Sequence, residues 1–206
     1  MKKLNSQISK ARLKPGTCWQ LYSDINGYQS SNGDDLVTQV RSYRFFQVIQ
    51  GFDLENQTPR IRVRLLEDGY KCWFDLDDVT VKPFELSRWK PDLLDECTIR
   101  SKLPYIIAWI EKSSRVDNQY LWGGTIGPDF DCSGLVQSAF ASQGIWLPRD
   151  AYQQENFCKK ISFLFPDLSL LVPGDLLFFG SQLKCTHVTL YKGQGMYWHS
   201  SGVRNG

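Results

Sequence analysis

Long apolar runs are missing from this sequence. The stretch Tyr105–Ile110 is only six residues, well short of the ~20 that a membrane-spanning helix needs, so no membrane partner is expected. One-sided charge is missing too: 24 Lys+Arg face 22 Asp+Glu, and the net charge is +2. Cut at residue 85, each part holds 12 basic and 11 acidic side chains. Neither makes the basic face that a nucleic-acid partner requires. The start, Met1-Lys-Lys-Leu-Asn-Ser-Gln7, has the charge of an export signal without the apolar segment that should follow. A soluble, cytoplasmic monomer is the expectation. The six cysteines (18, 72, 97, 132, 158 and 185) show no Cys-x-x-Cys spacing, and free thiols rather than a disulfide framework are expected. Cys185-x-His187 with His199 lacks the paired spacings of a structural zinc site, so neither metal nor other cofactor is expected. Histidine is nearly absent. Its two copies, His187 and His199, fall close together.

Aromatic residues are plentiful, at 14% with seven Trp, enough for one large core or two small ones. Residues 1–15 are polar and basic and read as an arm or an early cap. From Thr17 to Val81 the chain reads as short strands between turn-rich segments: Cys18–Tyr22, Arg44–Gln50, Arg60–Leu66, Lys71–Asp75 and Val79–Val81. In the clearest of them Ile61, Val63 and Leu65 alternate with Arg60, Arg62 and Arg64, giving one buried and one solvated face. The turn Glu67-Asp68-Gly69 leads into Tyr70-Lys71-Cys72-Trp73 as a hairpin. Five short strands predict a small β-barrel over residues 1–84, with SH3-like as the first choice.

Residues 85–100, with Pro91 and an acidic Asp92–Glu96 patch, read as a linker. Ser101 is the predicted cap of a helix with Pro104 in its first turn, and Leu103, Ile106, Ile107 and Ile110 form its apolar stripe. A loop with Gly123, Gly124 and Gly127 gives way to a second helix, and a further loop spans Leu147–Gln154. After Pro173-Gly174-Asp175 come strands Leu176–Phe179, Thr186–Tyr191 and Met196–His199, the last two joined by Lys192-Gly193-Gln194-Gly195. Helices followed by an antiparallel sheet make residues 101–206 an α+β domain.

The second helix starts at Asp131-Cys132-Ser133-Gly134-Leu135. Leu135, Val136, Ala139 and Phe140 recur at helical spacing, and Gly144 supplies the stop. Asp131 is a natural N-cap, so Cys132 falls in the first turn. There the unsatisfied N–H groups and the helix dipole favour a thiolate, and a lowered thiol pKa is expected. His187 and His199 lie on adjacent strands of one hairpin. Pairing them on one face beneath Cys132 would line up a nucleophile, a base and an orienting group; a one-residue slip in register would undo it.

Five motifs then carry a resemblance: Tyr120-Leu-Trp-Gly-Gly124, Asp131-Cys-Ser-Gly-Leu135, Pro173-Gly-Asp-Leu-Leu-Phe-Phe179, His187-Val-Thr-Leu-Tyr191 and His199-Ser-Ser201. Over residues 101–202 the chain resembles the NlpC/P60 cysteine peptidases of bacterial cell-wall peptides, whose fold is papain-like. The resemblance implies Cys132 as nucleophile, His187 as base and His199 as the residue that orients it. With the barrel in front, the chain is most similar to the γ-D-glutamyl-L-diamino acid endopeptidases. That implies cleavage between γ-D-Glu and the diamino acid (usually meso-diaminopimelate) of small murein peptides with a free N-terminal L-Ala, in cell-wall peptide recycling. It implies that Tyr70 and Asp150 read the free amine. Asp131 and Ser133 are implied substrate contacts, with helix capping as their alternative. Arg149 is read as binding a substrate carboxylate or holding Asp150, with an exposed loop arginine as the alternative, and Tyr120 as adding a hydroxyl to the oxyanion site or simply packing. Ala151 and Cys72 depart from the pattern, where a serine and a glycine are common. The resemblance also implies a further strand beyond Gly206. Other readings are an inert peptide-binding module, an acyltransferase on the same fold, and a secreted enzyme acting on polymeric wall.

Overall fold

The computed structural model describes residues 12–52, 59–161, 167–181 and 183–203. The expected arm lies outside these as far as residue 11. The chain forms two compact units, Met1–Pro91 and Asp92–Gly206.

The described residues of the first unit form strands and their connections, apart from a short 3₁₀ turn at Leu86–Arg88. Seven strands, β1 (Cys18–Leu21), β2 (Ile25–Tyr28), β3 (Leu36–Val40), β4 (Phe45–Gln50), β5 (Arg60–Leu65), β6 (Lys71–Asp75) and β7 (Val81–Phe84), pair antiparallel in the order β3-β2-β6-β5-β4-β1-β7. Five strands were expected; β2 and β3 are additional, and the last strand starts at Val81 rather than Val79. β5 alternates as its sequence requires, with Ile61, Val63 and Leu65 buried beside Phe46, Phe74, Leu21 and Val40. Its polar face is not uniformly solvated. Arg62 and Arg64 are exposed, but Arg60 is buried, with its guanidinium stacked 3.6 Å from the Tyr28 ring and donating to the carbonyls of Ser30 and Gly33. Stacking and carbonyl contacts replace the water it gives up. Space for the Cys72 sulfur comes from Gly27 on β2, where an added Cβ would come within 2.8 Å of it.

The second unit holds helices α1 (Glu96–Ser113), α2 (Cys132–Ala141) and α3 (Ala151–Phe157), then strands β8 (Leu176–Gly180), β9 (Cys185–Gly193) and β10 (Met196–Trp198). The strands form an antiparallel sheet in the order β10-β9-β8, so the unit is α+β. α1 begins well before Ser101. Asp95 accepts from the Thr98 N–H at 2.7 Å and caps it, whereas the Ser101 hydroxyl donates back to the Thr98 carbonyl inside the helix. Pro104 therefore sits mid-helix, not in the first turn. The expected stripe still packs inward: Ile106 and Ile110 are buried, with Leu103 and Ile107 against the same core. That core joins Leu135, Val136, Ala139 and Phe140 of α2 to Val188 and Leu190 of β9. Helix α2 closes at Gly144 (φ 76°), with the Ile145 N–H returning to the Phe140 carbonyl.

Candidate active site

The start of α2 is built on one carboxylate. Asp131 accepts from the N–H of Gly134 at 2.6 Å, capping the helix, and from the N–H of Gly123 at 2.8 Å. Arg149 grips the same group through both terminal nitrogens, at 3.1 Å to Oδ1 and 2.6 Å to Oδ2. It donates to the Ser133 hydroxyl at 3.0 Å as well, and that hydroxyl donates to Asp131. Arg149, Asp131 and Ser133 are 2%, 6% and 6% exposed. A buried charge needs such a bidentate partner. Arg149 thus pairs with Asp131, a partner the sequence reading did not name for it. The polar groups of Asp131 and Ser133 are spent on the cap and on Arg149 in this structure. Gly134 is glycine because α2 starts hard against the Gly-rich loop: a Cβ there would overlap the Gly124 carbonyl.

Cys132 occupies the first turn of α2 and is 6% exposed. Its thiol pKa is raised, not lowered as the helix start suggested. Burial is the main cause; the backbone N–H groups of Val188 and Ser133, and then Arg149, pull it down without prevailing, while Asp131 pushes it up. Desolvation outweighs the helix terminus here. The sulfur is therefore held against β9 at the residue that follows His187.

His187 and His199 come together across the β9–β10 hairpin. His187 Nε2 and His199 Nδ1 are 3.0 Å apart, with the rings nearly perpendicular. The register that achieves this pairs Trp198 with Leu190 and Tyr197 with Tyr191. Burial lowers the His187 pKa, and His199 lowers it further. Phe179, opposite His187 on β8, and Tyr197 complete a cluster of four rings, with centroids 5.2–6.2 Å apart between neighbours. Sequence reasoning missed both rings; the alternation of β8 and β10 was the available signal. These residues, with Tyr120, Ser201, Gly202 and Val203, line an open pocket of about 530 Å³. The Tyr120 phenol has its pKa pushed up to about 12 by burial, then by Cys132 and Asp131, which puts it in the field of the sulfur.

Two further candidates belong to other elements. Asp150 is the N-cap of α3, its N–H held by the Gln153 side chain at 3.2 Å. Tyr70 belongs to the first unit, at the β5–β6 turn, where it packs on that unit's core and its N–H is held by Asp68. Gln154 was not anticipated. It is fully buried and donates to the carbonyls of Ser133 and Pro148, and nothing in the sequence marks it out from Gln153. A thiol, two imidazoles and a helix N-terminus in one place suit acyl transfer to sulfur.

Residues 117–206 match the NlpC/P60 family. They are an NlpC/P60 family domain. The chain is 45% identical over 92 residues to the bifunctional muramidase/DL-endopeptidase CwlT of Bacillus subtilis, covering 41% of this chain and 26% of that protein. Against the γ-D-glutamyl-L-lysine dipeptidyl-peptidase of Bacillus cereus it is 31% identical over 153 residues, 71% of this chain and 40% of that one. The second match is longer than the unit Asp92–Gly206, so it extends into the first unit. The chain spans about a quarter to two fifths of these relatives. It also aligns with the structure of an NlpC/P60 family protein from Bacillus cereus, at TM-score 0.43 and 23% identity over 95% of this chain and 58% of that one.

Proposed function

We propose that this protein is a cysteine peptidase that cleaves the bond between γ-D-Glu and the diamino acid in small murein peptides with a free N-terminus. The observation that carries the reading is the His187–His199 pair, 3.0 Å apart across the β9–β10 hairpin, with the Cys132 sulfur packed against β9 at Val188, the residue after His187. With Nε2 of His187 engaged by His199, Nδ1 is the nitrogen left to act on sulfur.

The thiol is held up and the imidazole down, so the resting pair is neutral rather than ionic. His187 then works as a general base. It takes the Cys132 proton as sulfur attacks the γ-glutamyl carbonyl, and the Cys132 N–H at the helix start donates to the oxyanion. His187 passes the proton to the amine of the diamino acid as the C–N bond breaks. Water, deprotonated by His187, then splits the thioester and frees L-Ala-γ-D-Glu. Asp150, on the loop laced to the start of α2, supplies the carboxylate for the substrate's ammonium. The first unit serves as an SH3-like specificity domain through Tyr70, a role consistent with the length of the Bacillus cereus match. Its place is the recycling of released wall peptides.

Mass spectrometry of L-Ala-γ-D-Glu-meso-diaminopimelate, its L-Lys counterpart and their N-acetylated forms tests this. Release of L-Ala-γ-D-Glu from the free-amine peptides alone is expected, and Asp150→Ala and Tyr70→Phe should each erode that preference. Equal cleavage with and without the acetyl group removes the amine-reading role. No cleavage of any of the four by folded protein removes the peptidase.

A further inference from the structure

The buried Arg149 has no part in the chemistry just described, yet its surroundings are built around it. Its guanidinium reaches the N-cap carboxylate at 2.6 and 3.1 Å and the Ser133 hydroxyl at 3.0 Å, so it brackets Cys132 from the residues on either side. The next residue, Asp150, opens α3. A second tether runs the same way, from Gln154 of α3 to the Ser133 carbonyl at 3.1 Å. The loop before α3 is thereby fastened to the turn that presents the sulfur.

We infer that Arg149 is a positioning residue whose guanidinium neutralises Asp131 and so keeps the Cys132 thiol within reach of ionisation. The inference rests on the reading of Cys132 as nucleophile for its relevance, but not for its test. The need is electrostatic. The Asp131 carboxylate caps α2 and holds the Gly123 loop, and a carboxylate beside a buried sulfur opposes a negative charge on that sulfur. The charged or titratable groups facing the sulfur are Asp131 beside it, Tyr120 from the Gly-rich loop, Arg149 from the loop before α3, and His187 one residue from its contact on β9. Of these Arg149 is the one permanent cation. The directions agree: Asp131 pushes both the thiol and the Tyr120 phenol up, and Arg149 pulls both down. Lysine, as a point charge, would keep the sign and lose the two-pronged grip.

The test is the pH dependence of Cys132 alkylation by iodoacetamide in the full chain, read by mass spectrometry on the peptide carrying Cys132. Thermal unfolding runs beside it. Arg149→Met should move the midpoint to higher pH; a shift of about one unit slows alkylation roughly tenfold on the acid side. Asp131→Asn should move it the other way. Because Arg149→Met strands a buried carboxylate, the double variant Asp131→Asn/Arg149→Met guards against loss of fold, and its midpoint should return towards wild type. Arg149→Lys should stay near wild type in midpoint while losing thermal stability. Single variants that shift in the same direction, or a double variant as displaced as Arg149→Met, would overturn the inference in favour of simple packing. The alkylation profile needs no substrate. A wild type that cleaves no murein peptide but shows these shifts would discard the peptidase reading and keep the electrostatic one.

Discussion

Each side chain at the site is set by what it gives up to be buried. Cys132 and His187 both lose water, and burial acts on them in opposite directions, raising the one pKa and lowering the other. The sign of the pH dependence follows. For His187 the folded protein prefers the neutral ring. Its stability contribution is present above 6.5 and lost as pH falls through the lowered pKa. For Cys132 the neutral thiol is preferred, and its contribution is lost as pH rises from 9.0 through the raised pKa. The proposed mechanism needs His187 unprotonated, so the acid limb of kcat/KM should have its midpoint below pH 6.5; a midpoint above it would contradict a depressed imidazole. Cys132→Ala should abolish hydrolysis with an unchanged circular dichroism spectrum, and His187→Ala should lower kcat by about 10²–10⁴. The residues themselves were legible in the sequence, because two histidines among 206 residues and one cysteine behind an N-cap aspartate leave few choices. The sense of the thiol shift was not. It depends on how deeply the helix start is buried, and spacing does not carry depth.

At the scale of elements, local signals competed and packing chose between them. Asp95 and Ser101 are both good N-caps; Asp95 won, and the six residues it adds carry Pro104 into the helix interior. The ring there removes one backbone hydrogen bond, so Pro104→Ala at this exposed position should stabilise the protein by up to about 3 kcal/mol, measured by chemical denaturation. β2 was unreadable because Asn26 and Gly27 look like a turn, and the glycine is there to let Cys72 and Thr38 close in. Strand β5 was readable where its apolar residues alternate, but the burial of Arg60 was not, since it rests on a ring 32 positions earlier, that of Tyr28. Gly134→Ala tests the other close approach. Overlap with the Gly124 carbonyl should cost about 1–3 kcal/mol and depress activity through the displaced start of α2.

Over the whole molecule, each unit has its own core: Phe46, Phe74, Ile61 and Leu21 in the first, and Ile106, Ile110, Val136 and Leu190 in the second. Truncating Phe74, which is fully buried, should destabilise the first unit by about 3–5 kcal/mol. It should leave the alkylation profile of Cys132 unaltered at temperatures where the second unit stays folded. A profile that changes with the first core would mean that the two fold as one. Among the described residues, no helix is long and apolar enough to cross a membrane.

Because both histidines of the chain lie in contact with each other at the site, imidazole spectroscopy has no background in this protein. Every imidazole nitrogen signal in a two-dimensional nitrogen–proton spectrum comes from one of two neighbouring rings. The proton traffic of the proposed reaction can be watched in uniformly labelled protein, through a titration or through the slow turnover of a poor substrate, without site-specific isotope placement or a reporter group.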